Sequence, residues 1–251
     1  MLRRFGVERA EHIHVEAWAT KHRIDLVEAP LDGAKAQLVR VGDRAEIVLP
    51  EGITERGTRR FSIAHELFHY VMKHPSPTPT MMCTPKGLRR NDRTSHTYEI
   101  GANAFAGELL LPEFLLRSRC EVSPVSLDLV RSIALEFEMS NLASAIRFAE
   151  LSSERCAAVF AKDGEVLWAA PSATFAALIP RGKRLDRDSV AWDFFARRTL
   201  DERAQFVPAD AWIDTSADVE IIEHSTCSHE HGTTLSMLWI PEAVAPRLGM
   251  A

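Results

Sequence analysis

From Ser62 to Val71 the chain reads Ser-Ile-Ala-His-Glu-Leu-Phe-His-Tyr-Val, which sets His65 and His69 four residues apart with Glu66 beside the first. On a helix that spacing puts both imidazoles on one face, where they can grip a single cation, and the adjoining carboxylate can take a proton from a water placed there. The flanking positions are all uncharged, as a sheltered metal-binding helix requires. Thr58 is a candidate N-cap, residues 59–73 contain neither Pro nor Gly, and Pro75 ends the run, so the motif is expected in mid-helix. Phe61, Ala64, Phe68 and Val71 recur at helical spacing and are expected to bury one side. The bland alternative is an amphipathic core helix that happens to carry two surface histidines.

With 251 residues, 46% hydrophobic and 26% charged, the chain is long enough for one large globular domain or two small ones. A net charge of −5 and a pI near 6.1 argue against non-specific adhesion to nucleic acid or anionic membrane. Met1-Leu2-Arg3-Arg4-Phe5 leads into Glu8, Glu11 and His12 with no apolar leader, and nowhere do roughly 18 apolar residues run together, so a cytoplasmic protein without a membrane partner is expected. Cys83, Cys120, Cys156 and Cys227 are scattered and form no Cys-x-x-Cys pair, which predicts free thiols in a reducing compartment.

The patterning predicts an α+β protein. A helix over 7–22 is expected to precede three strands near 25–29, 36–41 and 45–49, the last of which could offer an edge beside the motif helix for strand addition by a substrate. Residues 74–98 are polar and aperiodic, with four prolines, and read as a long loop. A second helix is expected from about Thr97 to Pro112. Residues 126–138 and 141–151 then read as two short helices at helix-turn-helix spacing, but Arg131 and Arg147 are their only basic residues, so a packing module is favoured over a DNA reader. After Glu154, strands near 157–161, 165–169, 219–224 and 233–240 and a helix near 189–198 predict a separate α+β unit. The expected division is 1–122, 123–153 and 154–251.

A catalytic zinc site usually takes three protein ligands. The extended motif with a third histidine is excluded, because Met72 and Pro75 stand where Gly and His would be needed. The next helix offers Glu99 and Glu108. At about 100° per residue, Asn103 and Ala106 share the face of Glu99, whose small neighbours Ala102 and Ala106 permit close approach to the motif helix, whereas Glu108 points to the opposite side, toward solvent or a salt bridge. The competing reading of Glu99 is a solvated first-turn glutamate favoured by the helix dipole. Asn103, one turn on, is placed to hold Glu99 or a motif histidine in orientation.

These residues carry a family resemblance. Arg59 to His69 together with Glu99-Ile-Gly-Ala-Asn-Ala-Phe-Ala-Gly-Glu-Leu-Leu-Leu-Pro-Glu113 resembles the ImmA/IrrE metallopeptidases of bacteria and phages over roughly residues 10–150. The resemblance implies a zincin-like catalytic domain with a helix-turn-helix extension, His65, His69 and Glu99 as metal ligands, and Glu66 as general base. It implies a protein substrate, a helix-turn-helix repressor of the XRE type, whose cleavage releases stress-response or mobile-element genes. Some members carry a GAF-like sensory domain after the catalytic part, and the α+β unit after Glu154 stands in the same place, with a sensory or substrate-positioning role. Phe68 departs from the family, where that position is commonly small and often Gly; a bulky ring there is expected to narrow the site or displace the facing helix.

Zn2+ is the expected cofactor, with Mn2+ or Fe2+ also suited to two histidines and a carboxylate. Tyr98, His96 and His74 are candidate donors to a developing oxyanion, a role left unassigned. His224, Cys227, His229 and His231 hold zinc-type ligands at an expected hairpin tip, but their spacing fits no closed site, and a polar surface turn is favoured. Two other functional classes remain: a non-catalytic, antitoxin-like regulator whose metal only supports the fold, and a DNA-binding regulator acting through residues 126–151. The sequence does not fix the oligomeric state.

Overall fold

The computed structural model describes residues 2–31, 36–41, 44–73, 80–82 and 93–250. The chain forms two compact units, one of Met1–Leu115 with Ala134–Ser140 and the other of Leu116–Ile133 with Asn141–Ala251. Residues 123–153, expected to stand as a separate extension, are thus divided between the two. Among the described residues no helix is long and apolar enough to cross a membrane.

In the first unit, two short 3-10 turns at Leu2–Phe5 and Ala10–His12 precede helix α1 (Val15–Lys21). The long helix expected over 7–22 is therefore broken, and Arg23, at φ +58°, turns the chain out of α1. Strands β1 (Ile24–Ala29), β2 (Gln37–Val41), β3 (Arg44–Pro50) and β4 (Thr80–Met82) form one sheet in the order β1-β3-β2-β4. β3 pairs parallel with β1 and antiparallel with β2, so it is an inner strand and offers no free edge; the outer strands are β1 and β4. Period-2 alternation along β3 buries Ala45, Ile47 and Leu49.

Helix α2 (Arg56–Val71) packs on β2, β3 and α1, and helix α3 (Arg93–Leu110) packs on α2. Nearly the whole central part of α2 is buried, with Ile63, Ala64 and Leu67 joined there by the polar Ser62, His65, Glu66 and His69. Its burial is therefore wider than the single face expected. Val71 is 53% exposed and Phe61 and Phe68 are only half-buried. Thr58 does not cap the helix: Glu55 is the N-cap, and the Thr58 hydroxyl donates to the Glu55 carboxylate.

The start of α2 is fixed by its neighbours within the unit. Arg60, 3% exposed, donates to the carbonyls of Ile13 (2.9 Å) and Phe137 (2.9 Å) and to the Glu138 carboxylate (2.7 Å). Arg56 pairs with the same carboxylate. Gly57 lies so close to the turn at Met139–Ser140 that a Cβ there would stand 2.7 Å from the Met139 carbonyl carbon.

Helices α4 (Glu113–Cys120), α5 (Leu127–Phe137) and α6 (Asn141–Leu151) follow. The second unit holds an antiparallel sheet of β5 (Cys156–Lys162), β6 (Glu165–Pro171), β7 (Gln205–Pro208), β8 (Glu220–Ser228) and β9 (Thr233–Trp239), ordered β6-β5-β9-β8-β7. α6 packs on β5 and β6, whereas α7 (Val190–Arg197) packs on β8 and β9. Glu223 on β8, fully buried, accepts hydrogen bonds from the backbone N–H groups of Val190 and Ala191 at the start of α7, from Trp212 Nε1 and from the Ser225 hydroxyl, over 2.6–2.9 Å. The strand thereby supplies the acceptor that the N-cap Ser189 does not.

Cys120, Cys156 and Cys227 are free thiols, and Cys83 lies outside the described residues. Burial pushes the thiols of Cys120 and Cys156 up to about 11, so neither is a nucleophile at neutral pH.

Candidate metal centre

α2 and α3 face each other across the centre. His65 and His69, one turn apart on α2, turn their Nε2 atoms to within 3.2 Å of each other. From α3 the Glu99 carboxylate stands 3.2 Å from His65 Nε2 and 3.4 Å from His69 Nε2. These three residues are the one group of metal-capable side chains found among the described residues. His65 Nδ1 lies 3.0 Å from Asn103 Oδ1. An N–H at Nδ1 donating to that amide oxygen leaves the lone pair of Nε2 directed at His69 and Glu99. Two imidazole nitrogens and a carboxylate converging on one point repel unless a cation or proton lies between them. Tetrahedral ligands at 2.0–2.1 Å from a zinc ion stand about 3.3 Å apart, so the observed separations fit such an ion.

The side chain of His69 is fully buried, that of His65 is 9% exposed and that of Glu99 is 25% exposed. Asn103 is exposed, so it is the α3 residues that face solvent. Glu66 is fully buried beside His65. Burial disfavours the imidazolium of His65, but the hydrogen bond to Glu99, the charges of Glu66 and Glu99 and the bond to Asn103 together outweigh it and raise its pKa.

Phe68 projects from α2 toward the other flank of α3. Its ring centroid is 5.6 Å from that of Phe105, and its tip meets Gly101. Displacement of the facing helix, expected from so large a side chain, does not follow, since Glu99 still reaches both histidines. Arg40 on β2 donates to the carbonyls of His69 (3.3 Å) and Tyr70 (3.2 Å), placing a cation at the C-terminal end of α2.

The other sequence candidates fall elsewhere. Glu108 accepts, at 3.4 Å, from the backbone N–H of Glu113 and takes no part in the cluster. Tyr98 is half-buried directly before Glu99, while His74 and the side chain of His96 lie outside the described residues. His224 is not at a hairpin tip: it is buried within β8, and its Nδ1 accepts from the Leu127 N–H at 3.2 Å. His229 packs edge-on against Phe194, and His224, Cys227, His229 and His231 do not assemble as a ligand group. Arg60, Arg40 and Gly101 were not singled out by sequence reasoning. An isolated Gly inside a helical run was the available signal for the last.

Two histidines and a glutamate on facing helices, with a second glutamate buried next to the first histidine, define a metallopeptidase-type centre. The chain belongs to the IrrE N-terminal-like domain family, Peptidase_M78, which matches residues 19–149, and thus to the ImmA/IrrE metallopeptidases. No curated protein matches it. Among solved structures it is similar to a Mycobacterium tuberculosis transcriptional regulator, with 17% identity, a TM-score of 0.55, and coverage of 93% of this chain and 70% of that one. At that identity the likeness shows the fold.

Proposed function

We propose that this protein is a metal-dependent endopeptidase that cuts one specific protein substrate, a helix-turn-helix repressor of the XRE type, and so derepresses stress or mobile-element genes. The observation that carries this reading is the convergence of His65 Nε2, His69 Nε2 and the Glu99 carboxylate beside the buried Glu66. His65, His69 and Glu99 would hold a divalent cation, zinc first by their donor set and manganese or iron as alternatives, and it would supply Lewis acidity to the scissile carbonyl and the attacking water. Glu66 takes the proton of that water and delivers it to the departing amine. Asn103 keeps the His65 ring turned so that Nε2 faces the centre. A purely structural cation would need no base, so the buried Glu66 weighs against a non-catalytic regulator.

Two observations weigh against DNA reading by α5 and α6. Their connecting turn lies against Gly57 and Arg60 of α2, and their basic residues are already paired, Arg131 with Asp128 and Glu202, Arg147 with Glu150. The helical extension is thus read as a packing module. The sheet unit after Glu154 is read as a GAF-like sensory or substrate-positioning domain in a cytoplasmic enzyme. The similar fold of a transcriptional regulator supports a role in gene control.

The test is metal content by elemental analysis of wild type, Glu99→Ala and Glu66→Gln, with cleavage assayed on a repressor encoded beside this gene. Wild type and Glu66→Gln should hold about one metal per chain, with Glu99→Ala losing it and only wild type cutting. Full occupancy in Glu99→Ala removes the third ligand; a wild type that binds no metal and cuts nothing removes the peptidase reading.

A further inference from the structure

We infer that Phe68 and Gly101 form a matched knob and notch that sets how α3 lies on α2, so that Glu99 and Asn103 reach the two histidines. This rests on the metal-centre reading above. Gly101 lies about 200° around α3 from Glu99, so the helix is held on two different flanks. On one flank Glu99 and Asn103 meet His65 and His69. On the other, the Phe68 ring occupies the space that a missing side chain leaves: a Cβ at Gly101 would stand 2.9 Å from Phe68 Cζ and 3.3 Å from Cε1. Ordinary contact starts near 3.5 Å, so any residue larger than Gly must move the ring or the helix.

The ring has little freedom to move. Phe105, one turn beyond Gly101, is tilted against it at 5.6 Å, and the His69 ring meets it edge-on at 5.8 Å. A shift of Phe68 therefore bears on a ligand histidine, and a shift of α3 bears on Glu99. Either way added bulk at Gly101 is felt at the centre, and it is relieved by removing bulk at Phe68. Phe68 and Gly101 are positioning residues, acting on the centre through the packing of the two helices. Gly107 provides the contrast, being on the same helix with nothing within 4 Å of an added Cβ.

The experiment is a double-mutant cycle on zinc affinity, measured by chelator competition at a temperature where circular dichroism shows every variant folded. Gly101→Ala should weaken zinc binding by roughly 10- to 100-fold, the range for residues that orient ligands. Phe68→Ala/Gly101→Ala should recover to within about 3-fold of wild type, and Gly107→Ala should bind as wild type does. Should Gly101→Ala fold poorly, Phe68→Leu/Gly101→Ala against Phe68→Leu reads the same coupling. Losses that multiply in the double variant, or a Gly101→Ala protein with wild-type affinity, overturn the pairing while leaving the metal centre standing. A wild type with no zinc affinity overturns the metal centre itself, and the inference with it.

Discussion

Asn103 holds His65 through a 3.0 Å contact between amide oxygen and Nδ1, and that one bond decides which imidazole nitrogen faces Glu99. Asn103→Ala should keep the fold, because the residue is exposed on α3. It should weaken metal binding about 10- to 100-fold, as read by chelator competition. Asn103→Asp should lose less, since its carboxylate still accepts from Nδ1.

Acid should strip the metal while sparing the metal-free fold. His65 titrates above the ordinary histidine value in the absence of metal: burial opposes its charge, but Glu99, Glu66 and Asn103 outweigh it. A raised histidine contributes stability that is fully present below the unfolded value and is lost as pH rises through the folded one. Cation binding needs the unprotonated ring, so acid acts on the loaded protein in the opposite sense. The difference in Tm between zinc-loaded and chelator-treated protein should therefore be largest at mildly alkaline pH. It should begin to shrink above the ordinary histidine value of about 6.5. A gap that stays constant down to pH ~5 would show that His65 does not ligate.

Gly57→Ala should be among the most damaging small substitutions in the chain. The added methyl meets backbone at Met139 and Ser140, which cannot rotate away as a side chain could. A loss of about 2–4 kcal/mol is expected in denaturant unfolding, the scale of overpacking at a closed site.

Arg60→Met should cost about 2–4 kcal/mol, since it strands the buried Ile13 and Phe137 carbonyls, whereas the Glu138 carboxylate keeps Arg56. Arg59→Met, one residue earlier and paired with the half-exposed Glu28, should cost less than about 1 kcal/mol. The pair of variants separates buried from surface arginine by urea midpoint alone.

In the second unit, Glu223→Ala should strand the first N–H groups of α7 and the Trp212 indole together, while the Ser225 hydroxyl keeps Ser236. A loss of about 3 kcal/mol or more is expected, and Trp212 fluorescence should report the unfolding.

The centre was legible in the sequence because its chemistry is local: four residues fix the two histidines on α2, and four more relate Glu99 to Asn103 on α3. What escaped depends on partners far along the chain. β7 was missed, being short, ending in Pro208 and presenting Phe206 at 66% exposure. α4 begins directly after Pro112 and carries Arg117 and Arg119, so it lacks a clear apolar stripe. His224 looked like turn chemistry because Ser225, Thr226, Cys227 and Ser228 follow it, yet β8 continues through all of them, its polar groups matched by Ser236 and others on β9. The buried face of α2 was misjudged at Val71 for a related reason, since helical spacing marks apolar residues but not which neighbours arrive to cover them.

The seat of Gly57 on Met139–Ser140 also bears on how this molecule can be cut. Helix α2 depends on seven residues, 134–140, encoded well after Leu115, where the rest of its unit ends. A fragment stopping at Leu115 would keep His65, His69 and Glu99 and lose the turn on which the start of α2 rests. The family match, which runs on to residue 149, takes in that turn. Whoever transplants this centre into another chain, or trims the protein for crystallisation, must treat residues 134–140 as part of the graft.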